Sequence, residues 1–391
     1  MRAKWVKRRL ESFAKIYNGK DYKGNPRGEA YPIYGTGGVM GYTGAMLNSG
    51  PAVLTGRKGT IDRPEYVEGD FWHVDTVFCI KPDETVDCKL LYYAFASRNL
   101  SYLNEATGVP SVSSSALYGV RFLFPSSTDE QRRIAGILST CDEVIMRSRS
   151  AVEKLRKIKA GMLNDFFTRG IDDDGRLRPS PQQAPKLYKD SSLGPIPKEW
   201  EVKRLGEIGD VLMCKRVLKE QTDVMGDIPF FKIGTFGRRP DAYISRMLFE
   251  SLKAQYSYPR KGDVLISAAG TIGRTVVFDG EDAYFQDSNI VWIDNDESQV
   301  LNRFLFYCYS IVDWNTEDGG IVNRLYNDNL KEQLIPCPSV SEQDRIASRL
   351  SAIDERIATE ERVVAKYRSV KAGLMQRLLS PPTDAEIEEV G

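Results

Sequence analysis

The feature that most constrains this chain is an internal repeat with an offset of 212 residues (Glu130 to Glu342). Glu130-Gln131-Arg132-Arg133-Ile134-Ala135 returns as Glu342-Gln343-Asp344-Arg345-Ile346-Ala347, and the match continues without a gap to Lys159-Ala160-Gly161 and Lys371-Ala372-Gly373. A gapless match of about 40 residues is not chance, so the chain is built from two related halves.

Each copy of the repeat predicts one long helix. Ser127 with Glu130, and Ser339 with Glu342, have the Ser-x-x-Glu spacing in which each side chain satisfies a free backbone N–H at a helix start. Apolar residues then step by three and four, which is the pattern of a heptad seam. Polar residues interrupt the seam at matching places, Ser148 and Glu360, then Lys159 and Lys371. The predicted seam is Ile134, Leu138, Ile145, Val152, Leu155, Ile346, Leu350, Ile357, Val364 and Leu374.

The two helices are predicted to pair with each other as an antiparallel coiled coil. About 40 residues at ~1.5 Å each make a rod of roughly 60 Å, which is too long for one ordinary domain to cover. Antiparallel pairing gives the chain an approximate two-fold axis, and the polar interruptions would fix the register. The alternative is that each apolar stripe packs against the domain that precedes it.

The region ahead of each helix predicts a mixed α/β domain. Val53-Leu54 and Gly59-Thr60-Ile61 return as Val264-Leu265 and Gly270-Thr271-Ile272, and short helices are expected at 90–97 and 304–310. The five prolines between positions 179 and 197 and the aspartate run at 172–174 predict a linker that resists packing. The boundaries are 1–125 and 196–338 for the two domains, 126–169 and 339–380 for the helices, 170–195 for the linker and 381–391 for an acidic tail.

Composition excludes several classes of protein. There is no run of eighteen apolar residues to cross a membrane and no signal peptide, so a cytoplasmic protein is expected. The six cysteines have no Cys-x-x-Cys spacing and are interpreted as buried thiols. His73 is the only histidine, which leaves a single candidate base for a catalytic triad and no histidine cluster for a metal.

Two divergent domains, each followed by a repeated helix that opens with Glu-Gln-x-x-Ile-Ala, resemble the specificity subunit of type I restriction-modification systems. The resemblance covers nearly the whole chain, and Ile196-Pro197 with Trp200 adds to it. It implies an α+β architecture of two target-recognition domains, each reading one half of a gapped site in double-stranded DNA. The resemblance also implies that the two helices form the spacer between them. Because the halves differ in sequence, the site should be asymmetric.

The resemblance also implies that this chain is not an enzyme. It would dock methyltransferase subunits, two in number, and a motor subunit with endonuclease activity. S-adenosylmethionine, ATP and Mg²⁺ would belong to those partners, and this chain would hold no cofactor and no metal.

Candidate DNA-binding residues are polar or cationic side chains in glycine-rich or serine-rich loops, because arginine binds guanine edges and asparagine binds adenine. In the first domain they are Tyr42, Arg57, Lys58, Thr60, Ser111, Ser113, Ser114 and Tyr118. In the second domain they are Lys232, Arg238, Arg239, Thr271, Arg274, Asn323, Arg324 and Tyr326. The alternative for each is a solvated surface or turn residue.

Two rival functions stay open. A nuclease or methyltransferase is disfavoured, because no strand carries a convincing metal-binding carboxylate constellation and Gly35-Thr36-Gly37-Gly38 does not fit a nucleotide loop. A coiled-coil scaffold that joins proteins without reading DNA is the stronger rival. It is favoured by the net charge of zero and by 17 basic against 22 acidic residues in 196–338.

Overall fold

A computed structural model describes residues 4–312, 314, 325 and 327–390. The chain divides into two compact units, the first formed by Met1–Ala151 with Thr359–Gly391 and the second by Val152–Ala358. The helices are α1 (Cys88–Ala96), α2 (Ser114–Tyr118), α3 (Thr128–Thr168), α4 (Arg246–Gln255), α5 (Asn302–Cys308), α6 (Asn327–Lys331) and α7 (Val340–Leu378). The unit boundary falls within both long helices, so each unit contains the start of one and the end of the other.

The described part of the N-terminal domain in the first unit has ten strands. They are β1 (Lys4–Arg9), β2 (Ala14–Asn18), β3 (Tyr31–Gly35), β4 (Gly38–Thr43), β5 (Asn48–Ser49), β6 (Ala52–Gly56), β7 (Glu65–Val67), β8 (Asp70–His73), β9 (Val77–Pro82) and β10 (Arg121–Pro125). Two four-stranded sheets have the orders β2-β9-β6-β7 and β4-β3-β8-β5. Strand β6 is buried along its whole length, so it forms the centre of the core.

The second unit repeats this plan with different side chains. Its strands are β11 (Tyr188–Lys189), β12 (Ile196–Pro197), β13 (Glu201–Arg204), β14 (Gly209–Met213), β15 (Ile228–Phe231), β16 (Tyr243–Ile244), β17 (Val264–Ser267), β18 (Thr275–Val277), β19 (Tyr284–Phe285), β20 (Ile290–Asn295) and β21 (Leu334–Cys337). Its four-stranded sheet has the order β14-β20-β17-β18, which matches β2-β9-β6-β7 strand for strand. The expected mixed α/β class with two repeated domains is therefore confirmed, as are the short helices at α1 and α5.

A buried glutamine fastens the start of each long helix to its own domain. Gln131 accepts a hydrogen bond from the backbone N–H of Asp87, the residue that caps α1, and donates to the carbonyl of Pro125. In the second unit Gln343 accepts from the N–H of Leu301, which precedes α5, and donates to the carbonyl of Pro338. These contacts give a physical reason for the repeated Glu-Gln opening, because a buried amide must be fully hydrogen-bonded.

The capping prediction for the two long helices is half right. The hydroxyls of Ser127 and Ser339 accept from the backbone N–H groups of Glu130 and Glu342, at 3.4 and 3.3 Å. The glutamate carboxylates do not return to the serine N–H groups. Glu130 binds Arg133, and Glu342 binds residues of the middle segment. A charged donor within reach is a stronger partner for a carboxylate than a neutral backbone N–H, so it displaces the local cap.

The predicted seam residues lie mostly inside the protein. Eight are buried, namely Ile134, Leu138, Ile145, Val152, Leu155, Ile346, Leu350 and Val364, while Ile357 and Leu374 are half-buried. In the first unit Leu374 and Leu378 pack against the core that contains Ile134 and Leu138. In the second unit Phe166 shares a core with Ile346 and Leu350.

The middle segment is not the unpacked linker that its prolines predict. Ile171 is fully buried and forms a bridge with Leu177, and Tyr188 is buried in β11, which pairs with β12. The acidic tail also has a structure that the sequence did not indicate. Strand β22 (Glu386–Val390) pairs parallel to β1 in the first unit, and Lys7 Nζ lies 2.7 Å from Glu389 Oε1.

The six cysteines are free and buried, as expected. His73 is fully buried; Val77 contributes its carbonyl to one ring nitrogen and Asn48 its amide to the other. Burial lowers the pKa of His73 to about 4, so the imidazole is neutral at physiological pH. Among the described residues, no helix could cross a membrane and no group of three histidine, cysteine or acidic side chains could hold a metal ion.

Candidate nucleic-acid interface

In the first unit the structure brings two of the candidate loops together. The loop after β6 and the serine loop before α2 are joined by a bridge between Lys58 and Ser111. The N–H of Gly59 donates to the carbonyl of Pro110 at 2.8 Å, and the N–H of Val112 donates to the carbonyl of Arg57 at 2.9 Å. Residues that are more than fifty positions apart in the sequence thus form one continuous surface.

The cations of this surface point into solvent. Arg57 and Lys58 are exposed, whereas Thr60 is half-buried beneath them. Arg57 lies over the ring of Phe78, at 5.8 Å from its centroid, which supports the guanidinium without neutralising it. No carboxylate pairs with either cation among the described residues, so both charges are free to meet phosphate or a base edge.

Two of the serine-loop candidates already have structural partners. Ser113 caps α2 by accepting from the N–H of Ala116, and its hydroxyl donates to Glu105. The hydroxyl of Tyr118 accepts from the N–H of Ile16 at 3.0 Å, which ties α2 to β2. Ser111 and Ser114 are half-buried. These contacts help to hold the loop in place, and DNA contact by Ser113 and Tyr118 stays a prediction.

Tyr42 stands on the neighbouring sheet and is 58% exposed. Sequence reasoning missed Glu65, at the start of β7. Its side chain packs against Gly38, and burial raises the pKa of its carboxyl. A half-buried carboxylate at the end of the hairpin that carries Arg57 is an acceptor suited to a cytosine amino group. No sequence motif marks it, because its role depends on the contact with Gly38.

In the second unit a different pair of candidate loops is adjacent. The guanidinium of Arg274 donates to the carbonyl of Phe236 at 3.1 Å, which joins the turn after β17 to the loop after β15. Arg238, Arg239 and Thr271 are exposed there. Lys232 pairs with Asp241 at 2.9 Å, so its charge is partly compensated. The candidates Asn323, Arg324 and Tyr326 lie outside the described residues.

A repeated Tyr–Asp–Lys cluster connects each domain to both long helices. In the first unit the hydroxyl of Tyr93 donates to Asp142 at 2.8 Å, and Lys371 Nζ binds the same carboxylate at 2.6 Å. In the second unit Tyr307 and Lys159 bind Asp354 at 2.9 and 2.6 Å. Burial and the bond to Asp142 raise the pKa of Tyr93, so the phenol stays protonated and remains a donor.

The two polar interruptions Lys159 and Lys371 therefore have partners that are themselves repeat-related, since Asp142 and Asp354 also differ by 212 positions. Each lysine lies over the ring of the tyrosine in its own cluster, at 5.4 and 5.0 Å from the centroid. The side chains that break the apolar stripe are thus the ones that carry directional contacts.

Comparison with known proteins decides the family. The model of the type I restriction modification DNA specificity domain matches residues 2–154 and 197–366. The chain belongs to this family. The resemblance noted in the sequence is confirmed, and the two matched ranges fall on the two halves of the internal repeat.

Two relatives share more than two thirds of their length with this chain. It is 38% identical over 327 residues to a putative type I restriction enzyme specificity subunit of Haemophilus influenzae, covering 83% of this chain and 80% of that protein. It is 24% identical to the type I restriction enzyme MjaVIII specificity subunit of Methanocaldococcus jannaschii, covering 76% and 71%. The fold matches the crystal structure of the type I restriction-modification S subunit from M. genitalium with a TM-score of 0.72 at 16% identity, covering 97% of both chains.

Proposed function

We propose that this chain is the DNA-reading subunit of a type I restriction-modification complex, and that each unit reads one half of an asymmetric, gapped site in double-stranded DNA. The observation that carries the proposal is a pair of loops in each unit that are distant in sequence and joined by hydrogen bonds. Arg57 and Lys58 in the first unit, and Arg238 and Arg239 in the second, are exposed and have no carboxylate partner among the described residues. Paired loops on a rigid sheet are a suitable surface for a DNA groove, because the sheet fixes the position of each side chain.

The exposed cations and the neighbouring polar groups are assigned different contacts with DNA. Arg57 and Arg239 are the candidates for guanine edges, because their guanidinium groups can bind two acceptors at once. Lys58 and Arg238 are candidates for phosphate contacts, which position the protein and make the affinity depend on salt. Glu65 is the candidate acceptor for a cytosine amino group.

The two long helices act as an antiparallel coiled-coil spacer with pseudo-two-fold symmetry. The support comes from two contacts made separately inside the two units, Asp142 with Lys371 and Lys159 with Asp354. Asp142 and Lys159 are 17 residues apart on α3. Their partners on α7, Lys371 and Asp354, are 17 residues apart in the opposite direction along the chain, which is the register of an antiparallel pair. A spacer of fixed register would set the separation of the two half-sites on the duplex.

The chemistry is assigned to partner subunits. Methyltransferase subunits, two in number, would flip and methylate an adenine in each half-site with S-adenosylmethionine. A restriction subunit would use ATP and Mg²⁺ for translocation and cleavage. This chain would contribute recognition and docking without a catalytic step of its own.

The scaffold function stays as the second candidate, because the second domain has five more acidic than basic residues (22 against 17 in 196–338). DNA binding of the assembled complex, measured with labelled genomic fragments and unlabelled competitors, separates the two. A reader is displaced by one class of fragment about 10³-fold more readily than by others. Displacement by all fragments alike, from a complex shown to be assembled, would favour the scaffold.

A further inference from the structure

The carboxylate at the start of α7 is held by the segment that follows α3. Glu342 is 3% exposed and accepts from the indole N–H of Trp200, from the backbone N–H of Ile171 and from two guanidinium nitrogens of Arg178. We call this arrangement the Trp200 site. Arg345, three residues after Glu342, pairs with Asp173, and the nitrogen–oxygen distance is 3.1 Å.

The first unit has the matching carboxylate, and a tryptophan on the neighbouring strand, without the incoming arginine. Trp5 lies within β1, opposite Pro125 of β10, whereas Trp200 immediately precedes β13; Glu130 and Arg133 match Glu342 and Arg345 at the offset of 212. Here Arg133 folds back onto Glu130, with nitrogen–oxygen distances of 2.9 and 2.6 Å. The pair is solvent-exposed, 64% for the arginine side chain and 39% for the glutamate.

An open groove lies beside Glu130, and residues 380–384 of the tail form part of its wall. Its volume is about 1170 Å³. We call it the Trp5 groove, and its lining includes Trp5, Glu130, Arg133, Ile134, Arg377 and Pro382. All of these residues belong to the first unit.

The chain's own tail lines the groove but cannot form the turn that the middle segment forms in the Trp200 site. Gly170 has φ +64°, and a Cβ there would overlap Glu342 and Trp200, so the turn requires glycine. The residue at the matching position after α7 (170 + 212) is Pro382, whose ring fixes φ near −65°. The position matching Arg178 is Val390, and the tail pairs with β1 instead.

We propose that the Trp5 groove is a docking site for a protein partner, which inserts an arginine-bearing turn equivalent to residues 169–178. The incoming guanidinium replaces Arg133 on Glu130 and meets the Trp5 side of the groove. Arg133 is then released to a carboxylate of the same turn, as Arg345 is engaged by Asp173. The exchange is favourable because an exposed pair three residues apart contributes little, whereas a bidentate arginine shielded by a tryptophan binds strongly.

This inference does not depend on DNA recognition, and it can be tested without DNA or a methyltransferase. The probe is a synthetic peptide of residues 168–180, cyclised to favour the turn, titrated into the full chain by calorimetry. Binding is expected, and Glu130→Gln should weaken it by about tenfold or more, the loss of a charge-assisted hydrogen-bond pair. The matched control is Glu143→Gln, which removes an exposed carboxylate of the same helix outside the groove and should leave binding unchanged.

A peptide in which the arginine at position 178 is replaced by alanine should lose affinity to the same extent. Absence of binding at millimolar peptide, or equal affinity for the wild-type chain and the Glu130→Gln variant, would overturn the proposal. Sedimentation tests the other occupant, a second copy of the chain. Self-association that Glu130→Gln abolishes would show that the groove serves a dimer and would also overturn it.

Discussion

The start of the long helix is packed differently in the two units, although the first residues of the two helices correspond. In the second unit Glu342 is buried against Trp200 and Arg178, and the outer edge of β13 has no further strand among the described residues. In the first unit Glu130 faces a groove, and β22 covers the outer edge of β1. The repeat therefore conserves the helix and the hydrogen bonds of its buried glutamine, Gln131 or Gln343. The segment that follows each helix determines which surface stays open.

The largest expected difference between the units concerns these two glutamates. Glu342→Ala leaves Arg178 buried without its partner, so the second unit should lose about 3–5 kcal/mol of unfolding free energy. Glu130→Ala removes only an exposed pair and should cost the first unit about 1 kcal/mol or less. Native-state hydrogen exchange resolves the two units separately. Equal losses in both would contradict the described burial.

The pH dependence of stability should also separate the units, since His73 lies in the first unit and is the only histidine. Its pKa is lowered to about 4 in the folded state, from an unfolded value near 6.5. The unfolded chain binds the proton more readily, so the contribution is full above pH 6.5 and is lost as pH falls towards 4. The loss amounts to about 3 kcal/mol.

Hydrogen exchange of the wild type and of His73→Asn between pH 7 and pH 4.5 measures this effect. The difference in stability between the two proteins should change with pH in the first unit only. A difference that is constant over this range would show that the imidazole is not held neutral.

The exposed cations of the two loop surfaces should affect different halves of the DNA site. Arg57→Ala and Arg239→Ala should each weaken DNA binding by the assembled complex by about 1–3 kcal/mol if they contact guanine, and relax the preference in one half-site. Lys58→Ala should instead weaken all sequences alike and lower the salt slope by about one. Lys189→Ala, an exposed cation of β11 outside the loops, is the control and should leave binding unchanged.

The Tyr–Asp–Lys clusters should give the smallest and most symmetric effect. Asp142→Asn and Asp354→Asn each weaken two hydrogen bonds at a half-buried site, so each unit should lose about 1–2 kcal/mol. Thermal denaturation of the two variants should give similar shifts. Combining Asp142→Lys with Lys371→Asp should recover part of the lost unfolding free energy. No recovery would argue against the antiparallel register.

Sequence reasoning found the features that repeat and missed those that depend on a single contact. The offset of 212 predicted both long helices and the two domains, because a repeated stripe carries its own periodicity. The same reasoning treated residues 170–195 as unpacked, since composition does not show that Gly170 and Arg178 fit around Glu342. Likewise nothing in the acidic tail indicated a parallel strand, because pairing with β1 depends on the edge that happens to be free.

The candidate site was predictable to a similar extent. The glycine turns and serine loop indicated which segments to examine, but not that Lys58 and Ser111 are bridged. The structural use of Ser113 and Tyr118 could not be read from residue type, because a hydroxyl that caps a helix and one that faces solvent look the same in a sequence. Glu65 was missed for the converse reason, since its perturbed carboxyl follows from burial alone.

The central claim is that each unit reads its own half-site. The most direct test is to sequence modified adenines in a methylation-free host that expresses this chain with its methyltransferase. Residues 4–125 would be replaced by the corresponding domain of a family member with a different specificity. The account predicts that one half of the gapped motif changes, while the other half and the spacing stay the same. A motif that changes in both halves, or in neither, from a complex shown to be assembled, would contradict it.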